Sequence, residues 1–178
     1  MTIEIRLLEQ ADDRKSFHSG DADLDRFFQK YAWQNQFRHH IGSTYVAIER
    51  HRVLGFMTLS VSSIEFESLR ADLKRKLPRS PLPVLRLARL AVSQDAQGQG
   101  IGRHLMRAAF VMAIDLREKF GCVGVVVDAK RDAESFYSSL GFEPLEVIEG
   151  QIEEKPAPTA MFLPIREVAQ AIKVAPTR

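Results

Sequence analysis

Residues 85–102, LRLARLAVSQDAQGQGIG, decide the fold, because an apolar strand runs directly into a glycine-rich turn and then into a helix. Gly98, Gly100 and Gly102 let the main chain approach a ligand without interference from side chains. The helix, predicted to begin near Arg103, offers unpaired N–H groups and the positive end of its dipole to an anion. The stretch therefore predicts a site for a phosphorylated ligand.

Two common phosphate-binding motifs do not fit this turn. A Walker A loop continues with Gly-Lys-Ser/Thr, whereas Gly102 is followed by Arg103 and His104. A dinucleotide fingerprint needs a third glycine three residues after the second, and Arg103 occupies that place. Taken alone, the glycines are also compatible with an ordinary strand-to-helix turn.

Three motifs in order resemble the GNAT superfamily of N-acetyltransferases. Residues 97–102 fit Gln/Arg-x-x-Gly-x-Gly/Ala, the acyl-CoA pyrophosphate loop of that superfamily, and residues 89–92 (RLAV) precede it on the strand. An apolar strand at 123–129 follows, and residues 133–142 are similar to the signature Ala-x-x-Phe-Tyr-x-x-x-Gly-Phe. The resemblance implies an α/β fold. It predicts one GNAT-type domain over residues 1–165, with a mixed, mostly antiparallel sheet, a splayed parallel central strand pair, helices on both faces, and a C-terminal tail at 166–178.

The remaining elements are predicted from periodicity and turn residues. Apolar alternation favours strands at 3–8, 45–49, 53–62, 84–92 and 160–163. Asp21, with Asp23 and Asp25 after it, is expected to cap a helix. A basic helix carrying Leu69, Leu73 and Leu77 on one side is predicted to end at Pro78, and a short helix is predicted within 168–178.

Composition limits the class of protein. With 178 residues, 45% of them hydrophobic and 27% charged, the chain is long enough for one domain with a substantial core. No window approaches the ~20 apolar residues of a membrane span, so a cytoplasmic protein is expected. Cys122, the single cysteine, is predicted to be a small buried hydrophobe, and no residues have the spacing of metal ligands.

Positive charge is concentrated in the middle of the chain. The net charge is +2, yet residues 51–107 carry ten Lys or Arg against four acids. This favours an anionic partner, although a solvated basic helix, or the phosphates of CoA, would explain the same charges. The candidate residues for binding an anionic substrate are Arg70, Lys74, Arg75, Arg79, Arg86 and Arg89.

The resemblance also implies how acetyl transfer would proceed. Val92 would polarise the thioester carbonyl through its backbone N–H, and Tyr137, a phenol with an ordinary pKa of ~10, would protonate the departing thiolate. A tyrosine that merely packs in the core is the alternative for Tyr137. The cofactor-binding residues implied for acetyl-CoA are Leu90, Ala91, Val92, Gln97, Gly98, Gln99, Gly100, Ile101, Gly102, Arg103, Asp128, Ala133, Phe136 and Tyr137.

No carboxylate or histidine identifies itself as a general base, and this bears on the acceptor. At pH 7 a lysine amine with a pKa of ~10.4 is only about 0.04% unprotonated, whereas an α-amine with a pKa of ~8 is about 10% free base. An α-amine therefore needs little more than water as a proton acceptor.

A narrower resemblance covers residues 15–145. Residues 17–28 (FHSGDADLDRFF), 43–47 (STYVA), 83–92 (PVLRLARLAV) and 127–130 (VDAK) are similar to the TacT-type toxins of bacterial toxin–antitoxin pairs, although Ser19-Gly20 stands where Cys-Gly is common. This resemblance implies acetylation of the α-amine of aminoacyl-tRNA, a ribbon-helix-helix antitoxin and a homodimer. The alternatives are a GNAT enzyme that acetylates a small-molecule amine or a protein N-terminus, and a non-catalytic acyl-CoA-binding module, against which Tyr137 argues.

Overall fold

A computed structural model of the chain describes residues 2–146 and 158–174. The strands are β1 (Glu4–Leu7), β2 (Ser43–Glu49), β3 (Arg52–Ile64), β4 (Leu82–Val92), β5 (Gly124–Ala129), β6 (Glu143–Pro144) and β7 (Thr159–Pro164). The helices are α1 (Ala22–Arg26), α2 (Ala32–Gln34), α3 (Ala71–Lys74), α4 (Ile101–Lys119), α5 (Glu134–Ser139) and α6 (Ile165–Val174). Two π-helical turns, Phe27–Tyr31 and Asn35–His39, make α1 and α2 parts of one helical run.

The strands form one seven-stranded sheet in the order β1-β2-β3-β4-β5-β7-β6. The pairs β1–β2, β2–β3, β5–β7 and β6–β7 are antiparallel, and β4 and β5 are parallel. The predicted α/β fold, with a mixed sheet around a parallel pair, is confirmed.

The chain divides into two compact units, of which the first comprises residues 2–60 and 87–109. Its core is aromatic: the rings of Phe28 and Phe56 stack at 4.5 Å between centroids, and Phe17 meets both of them edge-on. The helical run that carries Phe28 begins as predicted at Asp21, whose carboxylate accepts hydrogen bonds from the backbone N–H groups of Asp23 and Leu24.

The second unit comprises residues 61–86, 110–146 and 158–174. Its apolar cluster is made by residues from β3, β4, β5, β7 and the segment around α3, and includes Ile64, Phe66, Leu69, Leu73, Leu82, Val84, Val126 and Phe162. Cys122 is buried as predicted. Among the described residues, no helix is long and apolar enough to cross a membrane.

The basic helix is shorter than predicted. A 3-10 turn at Phe66–Ser68 is followed by Leu69 and Arg70 in extended conformation, and α3 then makes a single turn. Leu69 and Leu73 are nevertheless buried. Their spacing correctly indicated which side chains face the core, but the expectation of a continuous helix up to Pro78 was wrong.

The C-terminal segment is an amphipathic helix. α6 follows β7 directly, and its Val168 and Ala171 side chains are buried. The predicted boundary at residue 165 stays a prediction, and residues 175–178 of the predicted tail lie outside the described residues.

Candidate active site

The glycine-rich loop has the backbone that its sequence predicts. Gly98 and Gly100 have φ values of +80° and +83°, which L-residues adopt only with strain. A Cβ atom added at either glycine would meet nothing within 4 Å, so the space beside the loop is open. The loop leads into α4, which has nineteen residues and begins at Ile101, slightly before the predicted start near Arg103. Gly102 is therefore the second residue of the helix.

Two glutamine side chains brace this loop. The Gln97 amide donates to the carbonyl oxygens of Ser19 at 2.8 Å and Val92 at 3.0 Å, and the Gln99 amide donates to the carbonyl of Asp95 at 3.3 Å. Both residues were predicted to contact the cofactor. That contact stays a prediction, and in the structure their side-chain amides bind main-chain carbonyl groups of Ser19, Val92 and Asp95.

The end of β4 carries the predicted donor-site residues Leu90, Ala91 and Val92. Ala91 is buried, whereas Leu90 and Val92 are partly exposed. A Cβ atom on Gly55 of β3 would lie 3.0 Å from the Ala91 carbonyl oxygen, so glycine at this position permits the close approach of β3. This approach fixes the main chain at the end of β4.

An ion pair beside the same loop was not anticipated from the sequence. Arg52 contacts the carboxylate of Asp95, and the Ser93 hydroxyl donates to the other carboxylate oxygen at 2.7 Å. These contacts, first from Arg52 and then from Ser93, lower the pKa of Asp95. Asp95 stands 43 residues from Arg52 in the sequence, so only the pairing of the strands brings them together.

The predicted acid, Tyr137, lies on α5 and is buried, with 4% of its surface exposed. Its ring packs edge-on against Phe136 at 5.1 Å and Phe142 at 5.7 Å between centroids. Burial, and secondly the negative charge of Asp128, raise the pKa of Tyr137 above its ordinary value. The phenol therefore remains protonated at neutral pH, as a proton donor requires.

The other cofactor-binding candidates in the second unit lie near Tyr137 along the chain. Asp128 is in β5, Ala133 precedes α5, and Phe136 is partly exposed on α5. The Asp128 carboxylate accepts a hydrogen bond from Arg86 Nη1 at 2.7 Å. Arg86, which was predicted to bind an anionic substrate, is thus paired with a carboxylate of the protein.

The other candidates for binding an anionic substrate differ in their environment. Arg70 contacts the carboxylates of Glu143 at 2.5 Å, Asp72 at 2.7 Å and Glu167 at 3.3 Å. The hydrogen bond to Glu143, and secondly that to Asp72, raises the pKa of Arg70. Lys74 lies 4.0 Å from Glu146. These two cations are therefore partly neutralised within the fold.

Two further arginines lie over aromatic rings, and one is exposed. The guanidinium of Arg79 lies 5.8 Å from the centre of the Phe66 ring, and that of Arg89 lies 3.8 Å from the centre of the Phe27 ring. Arg75 is exposed to solvent. Among the described residues, no group of three or more His, Cys, Asp or Glu is arranged to hold a metal ion.

Comparison with known proteins identifies relatives of this chain. Residues 40–144 match the family model described as an acetyltransferase (GNAT) domain. A protein of Mycobacterium tuberculosis named tRNA-acetylating toxin is 35% identical over 141 residues, which cover 78% of this chain and 82% of the relative.

Solved structures of two toxin complexes have the same fold. AtaT complexed with acetyl-methionyl-tRNAfMet is 29% identical, with a TM-score of 0.82 and coverage of 95% of this chain and 98% of that chain. A mutant AtaT bound to the C-terminus of the antitoxin AtaR and acetyl-CoA is 28% identical, with a TM-score of 0.77 and coverage of 97% and 99%.

Proposed function

The chain belongs to the acetyltransferase (GNAT) family, and from that premise we propose that it transfers an acetyl group from acetyl-CoA to the α-amine of aminoacyl-tRNA. Acetylation of that amine prevents it from forming a peptide bond, so the chain acts as a toxin that blocks translation. The observation that carries the proposal is the similarity to the tRNA-acetylating toxin over 78% of this chain.

The glycine loop suits the pyrophosphate of acetyl-CoA. The open space beside Gly98 and Gly100 lets phosphate oxygens approach backbone N–H groups, and the nineteen-residue α4 directs the positive end of its dipole to the same place. Gly102, Ile101 and Arg103 lie in the first turn of that helix. Bound acetyl-CoA supplies an acetyl group activated as a thioester.

Two groups of the protein are assigned to the chemistry. The backbone N–H of Val92, at the end of β4, is proposed to polarise the thioester carbonyl where negative charge develops. The hydroxyl of Tyr137 is proposed to donate a proton to the departing sulfur, and its raised pKa keeps that proton available at neutral pH.

The acceptor is proposed to be aminoacyl-tRNA because a close relative is named for acetylating tRNA and AtaT was solved with acetyl-methionyl-tRNAfMet. An α-amine also matches a site in which the described part of the chain offers no evident strong base. The exposed Arg75 is a candidate for contacting tRNA phosphate. A toxin acting on this substrate works in the cytoplasm. We expect it to be restrained by an antitoxin, since AtaT was solved with the C-terminus of its antitoxin AtaR. The resemblance to TacT-type toxins implies that the antitoxin is of the ribbon-helix-helix type and that the chain forms a homodimer.

The test is an acetyl-transfer assay with labelled acetyl-CoA and three acceptors: charged tRNA, the same tRNA after deacylation, and a lysine-containing peptide with a blocked N-terminus. We expect label in charged tRNA only, recovered as N-acetyl-aminoacyl-tRNA. Label in the peptide but not in charged tRNA would refute the proposed substrate, and binding of acetyl-CoA without transfer to any amine would support a non-catalytic module instead.

A further inference from the structure

A row of polar side chains crosses the sheet of the second unit at the edge of its apolar cluster. Arg86 on β4 donates from Nη1 to Asp128 on β5 at 2.7 Å and from Nε to the Ser62 hydroxyl on β3 at 3.3 Å. Asp128 in turn lies opposite Ala160 of β7 in the antiparallel register. Three strands thus contribute one hydrogen-bonded set, with a small residue beside it.

The same four strands carry large apolar residues two positions away. Because residues i and i+2 of a strand share a face, the polar row lies on the face that carries the apolar cluster. The apolar residues that lie two positions from the polar row on β3, β4, β5 and β7 are Ile64, Val84, Val126 and Phe162. The face therefore changes from apolar to polar within two residues on β3, β4 and β5, whereas β7 places the small Ala160 beside Asp128.

The ion pair of Arg86 and Asp128 is accessible from solvent. The side chains of Arg86 and Asp128 are 29% and 25% exposed to solvent, so the pair is partly desolvated but accessible. Arg86 contacts only Oδ1 of the carboxylate, and among the residues that the structure describes no group donates to Oδ2. Oδ2 is therefore available to a donor on a ligand.

We propose that Asp128, held in place by Arg86, receives the α-amine of the acceptor. This inference rests on the proposed function, because it assigns the amine-binding group of that same reaction. Asp128 was expected from the resemblance to bind the cofactor. Its carboxylate suits an amine better than CoA, since the phosphates of CoA would be repelled by a negative charge.

Pairing with Arg86 explains how a carboxylate can hold the amine without making it unreactive. A carboxylate alone favours the protonated ammonium, which has no lone pair to attack a thioester. The adjacent guanidinium opposes this effect, because a positive charge disfavours the ammonium. The ion pair therefore orients the amine through a hydrogen bond to Oδ2 while leaving its pKa close to the ordinary α-amine value.

The covalent step balances without a further reactant. The unprotonated amine nitrogen forms a bond to the acetyl carbon, the carbon–sulfur bond breaks, and Tyr137 gives its hydroxyl proton to the sulfur. The nitrogen then releases one proton to water, and water restores the proton of Tyr137. Asp128 accepts a hydrogen bond throughout and is not itself required to titrate.

The first test compares Asp128→Asn with the matched control Asp132→Asn, an exposed carboxylate in the neighbouring turn. We expect Asp128→Asn to lower kcat/KM for the acceptor by about 30-fold or more, the effect of losing a charged hydrogen-bond partner, while the Kd for acetyl-CoA changes by less than about twofold. Asp132→Asn is expected to behave as the parent. Loss of acetyl-CoA binding by Asp128→Asn would overturn the inference and assign the carboxylate to the cofactor.

The second test leaves Asp128 in place and measures the pH dependence of kcat. Arg86 and Tyr137 are the titratable groups whose interaction with Asp128 the structure describes, and Ala160 beside it is apolar. Arg86→Gln removes the positive charge, so the rising limb of the profile should move to higher pH by about one unit. Arg86→Lys retains the charge and should leave the limb in place. Equal profiles for both Arg86 variants would overturn the inference.

Both tests are run with aminoacyl-tRNA and with an amino-acid amide as acceptors, which separates the two hypotheses. If the parent acetylates the amide but not charged tRNA, the proposed function fails and the role of Asp128 is still tested on the amide. If charged tRNA is acetylated equally well by the parent and by folded Asp128→Asn protein, the proposed function stands and the inference fails.

Discussion

Replacing Tyr137 by Phe removes one hydroxyl and little else. The ring of Tyr137 is held by Phe136 at 5.1 Å and Phe142 at 5.7 Å, and these edge-on contacts do not use the hydroxyl. The residue is 4% exposed, and phenylalanine fills the same volume. We therefore expect the unfolding free energy of Tyr137→Phe to lie within about 1 kcal/mol of the parent.

The effect on turnover should be much larger than the effect on stability. A positioned proton donor contributes about 10²- to 10⁴-fold, which corresponds to roughly 3–5 kcal/mol in the activation barrier. We expect kcat to fall by at least about 10²-fold at saturating acetyl-CoA, with the Kd for acetyl-CoA changed only a few-fold. Calorimetry gives the affinity, and single-turnover transfer gives the rate.

The raised pKa of Tyr137 also determines how kcat and the folding stability should change with pH. Since burial and Asp128 hold the folded-state pKa above ~10, the phenol remains protonated over the usual assay range, and kcat should show no falling limb up to pH 10. For stability, a raised folded-state pKa favours the folded protein fully below the unfolded value of ~10, and this contribution is lost as pH rises above it. The parent should therefore lose stability above pH 10, and Tyr137→Phe should lose less.

Two results would refute this reasoning. A folded Tyr137→Phe protein with kcat within threefold of the parent would mean that water or another group protonates the sulfur. A parent whose kcat falls with a midpoint near pH 8 or 9, where Tyr137→Phe shows no such fall, would mean that the phenol titrates far below the value that its environment imposes.

Two further predictions use matched pairs. Gly100→Ala and Gly121→Ala each place a Cβ in open space at a positive φ, so both variants should lose about 1–2 kcal/mol of stability. Only Gly100→Ala should weaken acetyl-CoA binding, by at least tenfold as measured by calorimetry. Equal affinities of the two variants would place the pyrophosphate elsewhere. Arg70→Ala should lower the unfolding free energy slightly, because three partly exposed carboxylates lose their partner and exposed ion pairs contribute little each. Arg75→Ala should leave stability unchanged and reduce the salt dependence of tRNA binding by about one phosphate contact, and the reverse pattern would contradict the ion-pair network.

The features that were predicted correctly are those that depend on residues close together in the sequence. The glycine turn, the apolar strand before it and the Asp21 cap each depend on residues a few positions apart, and the structure contains all three. The predicted length of the basic helix was wrong for a related reason. The spacing of Leu69 and Leu73 reports which side chains are buried, but a 3-10 turn followed by one helical turn buries them as well as a continuous helix does.

The side-chain partners in the candidate site were not predictable in this way. Arg86 meets Asp128 across 42 residues of sequence, and Arg70 meets Glu143 across 73. Such pairs are set by strand order and register, which local periodicity does not specify. Both arginines were therefore predicted to bind an external anion, because their pairing with Asp128 and Glu143 depends on contacts that local spacing does not reveal.

These ion pairs change what the positive charge of the middle segment implies for tRNA binding. Residues 51–107 carry an excess of cations, yet Arg70 and Arg86 are paired with carboxylates and Lys74 lies near Glu146. A cation already neutralised by the protein releases few counterions from tRNA, whereas each new phosphate contact contributes roughly 0.9 to the slope of log K against log salt. Counting all six candidate residues thus predicts a slope of about 5, and leaving out Arg70, Lys74 and Arg86, which lie beside carboxylates, predicts about half of that. A salt titration of tRNA binding distinguishes the two counts, and the smaller slope is the one that the structure predicts.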